Sequence, residues 1–563
     1  LLIVRTTSDI ILYNTKTPLG QGEPATSRQW ILWYATCGLA LWLFVSPLLF
    51  HDTFHRMTPD EAHYAWKAER ISQDLTFLFS EQAWRRHPPL VPLGVGLLAK
   101  VMPLDAAILV ATRTQAVLGL VMVYVLGVQL AGPVAGLVAG ALLAADPTYR
   151  ILSNRLLLDI PLMILFVAST WLLIRGGGCR IWAVGVGTLA LFLKDYGVLT
   201  LLYALTCIAY DLLLKRGWRP ITVVGALLTS SASILTLVGY FLLDYWFWIA
   251  RFWSSLSSLP NRVALTLWHL LDNSVGWAVP TVQKRYLAVL LLLAVPLVAR
   301  LLSLSWRREY VFIFLWITIV LGSLVAIATY VVERRVIVLF VPALYLLVGI
   351  CVVQGLRLAR APRLAHSLFG LAVLGSLLAP FLARANPEVL YYTQCRFSTQ
   401  YPISDWIKHN ISGSGVVVFS RSSHQLQFYA GRDYERDGGI FYGWNEHTGV
   451  PRTVPEFQRV LDATSKEAYL IVDIEDKPDP LWLYPPKRSA VEAIEALGFH
   501  LVHVVWVPVG EHCQIPDSPY YSELPRFIEH LGLPLYRTLE DKRERVGALV
   551  FRREAIGARR ART

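Results

Sequence analysis

Charge is scarce in this chain. Asp, Glu, Lys and Arg make up 16% of its 563 residues, against 55% hydrophobic residues. With apolar runs of roughly 20 residues recurring along its length, that balance excludes a soluble protein and implies a polytopic membrane protein. Cysteine is equally sparse. Cys37, Cys179, Cys207, Cys351, Cys395 and Cys513 show no CxxC or zinc-type spacing, which argues against a disulfide framework or a metal cluster. There is no GxGxxG, no Walker A motif and no soluble Rossmann pattern before the first apolar run, so no nucleotide cofactor is expected. No internal repeat or low-complexity tract relates one half to the other. A cleavable leader is not expected either: residues 1–28 are polar, and the apolar run after them is long enough to stay as an anchor. The net charge of +12 would fit nucleic acid, but the arginines cluster between apolar segments, the pattern of membrane topology.

The apolar segments fall near 29–50, 107–130, 132–146, 160–174, 181–193, 197–214, 220–242, 286–304, 309–330, 336–355 and 366–384. Residues 91–102 are too short to cross. The basic clusters Arg175/Arg180, Lys215/Arg216/Arg219, Arg300/Arg307/Arg308 and Arg357/Arg360/Arg363 then lie on the cytoplasmic side with residues 1–28. About eleven spans follow, within a membrane unit over 29–384. The loop 51–106 and everything after 385 are placed outside. Two clusters break the rule, Arg85/Arg86 and Arg334/Arg335. The loop 51–106 is read as amphipathic helices resting in the membrane interface.

Beyond residue 385 the pattern changes. Short β-branched runs (416–420, 469–473, 501–507, 548–551) alternate with helical patterns (404–410, 455–463, 490–497), which predicts a small extracytoplasmic α/β domain over 385–563. Its Tyr429-Ala430-Gly431-Arg432 run and Trp444, Trp482 and Trp506 fit sugar or acceptor binding, and fit strand and turn residues of a core better. The tryptophans of the loop 243–285 (Trp246, Trp248, Trp253, Trp268, Trp277) fit an interfacial belt.

Four polar features stand where apolar sequence is the default, and the topology puts all of them on one side. Asp60-Glu61 follows Thr58-Pro59; the plainer reading is a pair of acids at a helix N-terminus. Asp159 follows Arg155 by one helical turn, and the plainer reading is an i,i+4 ion pair. Lys194-Asp195 is wedged between two apolar segments, where a lysine is costly unless it reaches the interface. Arg334 and Arg335 follow Glu333 on the side that disfavours them. Carboxylates supply a base, cations hold a phosphate, and membrane depth suits a lipid tail. The combination points to group transfer from a lipid-linked phosphate to an acceptor in the outer aqueous phase.

The motifs Asp60-Glu61-x-x-Tyr64, His87-Pro88-Pro89-Leu90, Arg155-x-x-x-Asp159, Leu193-Lys194 and Arg335…Phe340-Val341-Pro342-Ala343-Leu344 carry a resemblance over residues 25–385. In their order and spacing the chain resembles the polyprenyl-phosphate-sugar glycosyltransferases of the multi-span GT-C fold. These include the dolichyl-phosphate-mannose protein mannosyltransferases and the bacterial aminoarabinose transferases acting on lipid A. The resemblance implies a multi-pass cell-membrane enzyme. It would take a sugar from a polyprenyl (dolichyl or undecaprenyl) phosphate and move it, with inversion, to an extracytoplasmic protein, lipid or glycan. Asp60 would be the base, with Asp159 beside it. Glu61, Tyr64, His87, Arg155, Lys194, Arg334 and Arg335 would contact substrate.

The chain also departs from both relatives. The aminoarabinose transferases carry Glu-Lys before Pro-Pro-Leu, where Arg86-His87 stand here, so a divalent metal held through that glutamate loses its ligand. The protein mannosyltransferases have an acid two residues before the His, here Arg85, and a β-trefoil insertion not seen in 243–285. A prokaryotic member with donor and acceptor open is the expectation.

Two other classes compete. A transporter or flippase of a lipid-linked or anionic substrate also places charges in spans, but commonly shows duplicated halves. A scaffold gives no reason for Asp60, Asp159 and Lys194 to share one face. An oligosaccharyltransferase would bring a Trp-Trp-Asp acceptor motif, which the chain lacks.

Overall fold

A computed structural model describes residues 57–213, 308–327, 338–358 and most of 399–555, with short breaks that include 85–87 and 195–196. The expected spans near 29–50, 220–242, 286–304 and 366–384, the 243–285 loop, and His87, Arg334 and Arg335 lie outside the described residues.

The helical part begins with α1 (Pro59–Gln73). Thr58 caps it: its hydroxyl accepts from the Glu61 N–H while the Glu61 carboxylate accepts from the Thr58 N–H, and Pro59 opens the first turn. α1 ends at Asp74, whose side chain caps the 3-10 turn Leu75–Phe79. Glu61, Ala62, Tyr64, Ala65, Ala68 and Ile71 are all buried, so one face of α1 is packed into the helical core. Its small residues let α2 (Leu90–Leu98) approach closely; a Cβ on Gly96 would sit 2.8 Å from the Ala68 carbonyl. α2 has nine residues, about 13 Å, too short to cross a bilayer.

α3 (Leu104–Ala131) follows, 28 residues or about 42 Å. Among the described helices it alone is long and apolar enough to cross unaided. It forms a hairpin with α4 (Pro133–Ala145) through Gly132, whose φ of 103° suits glycine. The two pack at Gly127 and Gly136, where a Cβ on Gly127 would meet the Gly136 Cα at 2.6 Å. α5 (Pro147–Ser153) is capped by Asp146, and the same carboxylate accepts at 2.7 Å from Tyr345 on α10 (Val341–Leu358). α6 (Asp159–Arg175), α7 (Cys179–Leu191) and α8 (Gly197–Leu213) form successive hairpins. Arg180 and Asp211 make a buried ion pair at 3.0 Å between α7 and α8. α9 (Arg308–Ile327) closes the cluster, with Trp316 stacked on Phe166 and its indole N–H bonded to the Leu339 carbonyl at 2.9 Å.

The second part is a mixed six-stranded sheet in the order β2-β1-β3-β6-β4, with β5 also on β6. β1 (Val416–Phe419) runs parallel to β2 (Ile440–Tyr442) and to β3 (Glu467–Asp473). β6 (Lys542–Arg553) is antiparallel to β3, β4 (His500–Pro508) and β5 (Tyr536–Leu539). Strand alternation splits the core into two layers. Ala468, Leu470 and Val472 face α13 (Val454–Ala463), α14 (Arg488–Ala496) and α15 (Leu524–His530). Tyr469 and Ile471 face α11 (Gln400–Asn410) and α12 (Ser423–Ala430). The expected α/β character is present. The edge strands β2 and β5 and the helices α12 and α15, which the sequence reading did not separate from loops, complete it.

Candidate active site

Three segments distant in sequence meet at the N-terminus of α1. Glu61 is 2% exposed, and its carboxylate takes three partners. Arg155 Nη1 lies 3.3 Å from Oε2, the Leu156 N–H donates to Oε1 at 2.9 Å, and the Thr58 N–H donates to Oε2 at 2.7 Å. Arg155 sits in the turn between α5 and α6, which directs it toward α1 instead of along a helix. The i,i+4 pairing of Arg155 with Asp159 is therefore corrected: Arg155 is outside the helix that Asp159 begins, and each joins a different partner.

Asp159 opens α6, and its Oδ1 lies 3.0 Å from Lys194 Nζ, both side chains almost fully buried. Lys194 is delivered by the tight α7–α8 turn. The Lys194 carbonyl accepts from the Gly197 N–H at 2.7 Å, and a Cβ on Gly197 would fall 2.0 Å from the Ala190 carbonyl. Two residues earlier, Phe192 meets Trp84 edge-on at 6.1 Å, which brings the segment after α1 against the same turn. Glu61, Arg155, Asp159 and Lys194 thus sit in one connected region.

Asp60, beside the saturated Glu61, points another way and is only half-buried. Its neighbours on the open side of α1 are aromatic: His63 stacks on Trp66 at 5.9 Å and Phe77 meets Trp66 edge-on at 5.6 Å. Tyr64 is packed in the core with 1% exposure.

Arg113 was missed by the sequence reading. It is 3% exposed within α3; among the described residues no carboxylate pairs with it, and its Nε has no hydrogen-bond partner. The signal was a lone arginine inside an apolar run, where a charge marks a site by default. α3 and α4 form a hairpin and α5 turns the chain, so α6 starts beside the N-terminal half of α3. A Cβ on Gly119 would meet the Met163 methyl at 2.8 Å. Counting back to Arg113 gives about 9 Å and to Asp159 about 6 Å, so the two lie at similar depth. Among the described residues no group of three or more His, Cys, Asp or Glu converges on a metal-sized site.

No protein-family model matches the chain, and no curated protein matches it. Among solved structures, ArnT from Cupriavidus metallidurans bound to undecaprenyl phosphate is similar at TM-score 0.52 and 13% identity, over 85% of this chain and 97% of that one. The same protein in the apo state gives 0.49 and 15%, over 82% and 95%. Arabinofuranosyltransferase AftD from Mycobacteria gives 0.41 and 13%, over 94% and 42%. At that identity the likeness to the first is one of architecture, and it shows that this chain has a polytopic helical membrane fold.

Proposed function

We propose that the chain is a membrane glycosyltransferase. It moves a sugar from a polyprenyl phosphate to a hydroxyl-bearing acceptor at the extracytoplasmic face, with inversion at the anomeric carbon. The observation that carries this reading is the division of labour between adjacent carboxylates. Glu61 is committed to Arg155, Leu156 and Thr58, while Asp60, its neighbour in the first turn of α1, is half-buried on the more open face of the helix. A solved structure with a similar fold binds undecaprenyl phosphate, the class of carrier proposed here.

The chemistry needs few parts. The acceptor hydroxyl must lose its proton as it attacks, and Asp60 takes it. The bond from the anomeric carbon to the phosphate oxygen breaks, and the lipid phosphate leaves with both electrons. A phosphate is a good leaving group without protonation, so fixed cations suffice on that side. Lys194 and Arg113 are the described candidates for it. Asp159 holds Lys194 in place by its ion pair. Arg334, Arg335 and His87 remain proposed substrate contacts on sequence grounds.

The test is transfer of labelled sugar in membranes supplied with polyprenyl-phosphate sugars. Asp60→Asn is expected to lose about 10²–10⁴-fold in rate, the usual range for a general base, with donor binding retained. Retention of more than about a tenth of the wild-type rate would remove Asp60 from this role.

A further inference from the structure

α12 belongs to two cores at once. Its Leu426 and Ala430, four residues apart, are buried with Ile403 and Ile407 of α11 against the sheet. Its Phe428 and Tyr429 turn the other way and pack on the helical cluster that contains Met57 and Tyr64. At the end of that contact the Tyr429 hydroxyl accepts from the Met57 backbone N–H at 3.0 Å, across 372 residues of sequence. Met57 is 1% exposed and immediately precedes Thr58, the cap of α1. The Tyr429 ring is fixed in turn by Tyr401 edge-on at 5.7 Å and by Phe428 at 5.3 Å.

A backbone N–H just ahead of a helix lies beyond the bonds the helix makes for itself. Here the sheet unit supplies the acceptor. Asp60 is three residues along the chain, so whatever fixes Met57 fixes where the first turn of α1 begins. We propose that Tyr429 is a positioning residue, through which the sheet unit sets the placement of the Asp60 carboxylate. This rests on the reading of Asp60 as the base. The tyrosine acts on the geometry of attack and not as a contact to sugar or phosphate.

The test uses the full-length protein in lipid nanodiscs with Tyr429→Phe, which removes one oxygen and keeps the ring. Two readouts are needed. Hydrogen exchange of residues 57–62 is expected to quicken several-fold, with α11 and β3 unchanged. The kcat of sugar transfer is expected to fall roughly 3–10-fold, the size of one neutral hydrogen bond, with KM for the polyprenyl-phosphate sugar unmoved. Tyr401→Phe, which keeps the ring contact, is expected to leave both readouts at wild-type values. Faster exchange with unaltered kcat overturns the positioning role, and unaltered exchange overturns the contact itself. A fall in kcat accompanied by a matching rise in KM for the donor also overturns it, because the tyrosine would then act on binding. If the wild-type protein transfers no sugar, the glycosyltransferase reading fails and the positioning role with it, while the exchange readout still decides the contact.

Discussion

Lys194 and Asp159 are joined across 3.0 Å at the mouth of two helices, each less than 5% exposed. Burying both charges is costly, and breaking the pair from one side leaves the other charge stranded. Lys194→Ala is therefore expected to lower stability by roughly 3–5 kcal/mol and to abolish donor binding. The double variant Lys194→Met/Asp159→Leu is expected to recover much of the stability and none of the binding. Thermal unfolding with and without a polyprenyl phosphate separates the two effects; donor binding by the double variant would mean that the lysine is purely structural.

Glu61 is expected to act on the fold more than on the reaction. Glu61→Gln keeps the shape and an acceptor for the Leu156 N–H, but removes the charge facing Arg155. A charge-assisted bond contributes roughly 1.5–3 kcal/mol, so the melting temperature should drop clearly. The rate per folded molecule should fall far less than in Asp60→Asn. Equal losses of rate in the two variants, at equal folded fraction, would contradict the division of labour between these neighbours.

The first turn of α1 was legible in the sequence because its signals are local. Thr58, Pro59 and Glu61 spell a capping box, and adjacent acids must diverge on a helix. The partner of Glu61 was not legible. Arg155 stands four residues before Asp159, and sequence spacing alone makes those two the natural pair. The chain leaves helical geometry at Asn154, so the pairing passes to residues 94 positions away. Strands β3 and β6 were visible because both their faces are buried and their apolar runs are continuous, while β4, only partly buried, was visible from its β-branched run alone. β2 has only three residues, the four of β5 are mostly exposed, and neither strand carries a pattern of its own. The contact of Tyr429 with Met57 was beyond reach, since it depends on how one part docks on the other.

His503 offers a test by pH. It stacks on Trp406 at 5.1 Å and 13°, and burial holds its imidazole below the ordinary value of 6.5. A base whose pKa is depressed on folding favours the folded state while neutral. Its contribution is complete above the unfolded pKa and is lost as pH falls through the folded one. The side chain is substantially exposed, so the effect should be modest. Protection of the β4 amides, corrected for the intrinsic exchange rate at each pH, is expected to fall from pH 7 to pH 5, and His503→Phe should flatten that dependence while keeping the stack. A wild-type profile that is flat over this range, or an unaltered slope in the variant, would assign the pH response elsewhere.

Arg113 gives the prediction of opposite sign. A guanidinium buried in an apolar helix, with no carboxylate paired to it among the described residues, costs stability, and proteins retain such a group where an anion comes to meet it. If that anion is the donor phosphate, the unliganded protein should be indifferent to the loss of the charge, or gain from it. Arg113→Met is thus expected to leave the melting temperature unchanged or raised, the reverse of Lys194→Ala. Its effect should appear with ligand present. Saturating undecaprenyl phosphate raises the melting temperature of any protein that binds it in the folded state alone, by about 2.7 kcal/mol of stability at a hundred times Kd. Arg113→Met should lose about half of that increment or more, since a weakening of tenfold or more in Kd is the size expected for one charge-assisted bond. Arg113→Lys should keep part of it, since a point charge holds phosphate without the planar fork. Should Arg113→Met instead melt several degrees lower and bind the lipid phosphate as before, the arginine belongs to the packing of α3 and the phosphate is held by other cations.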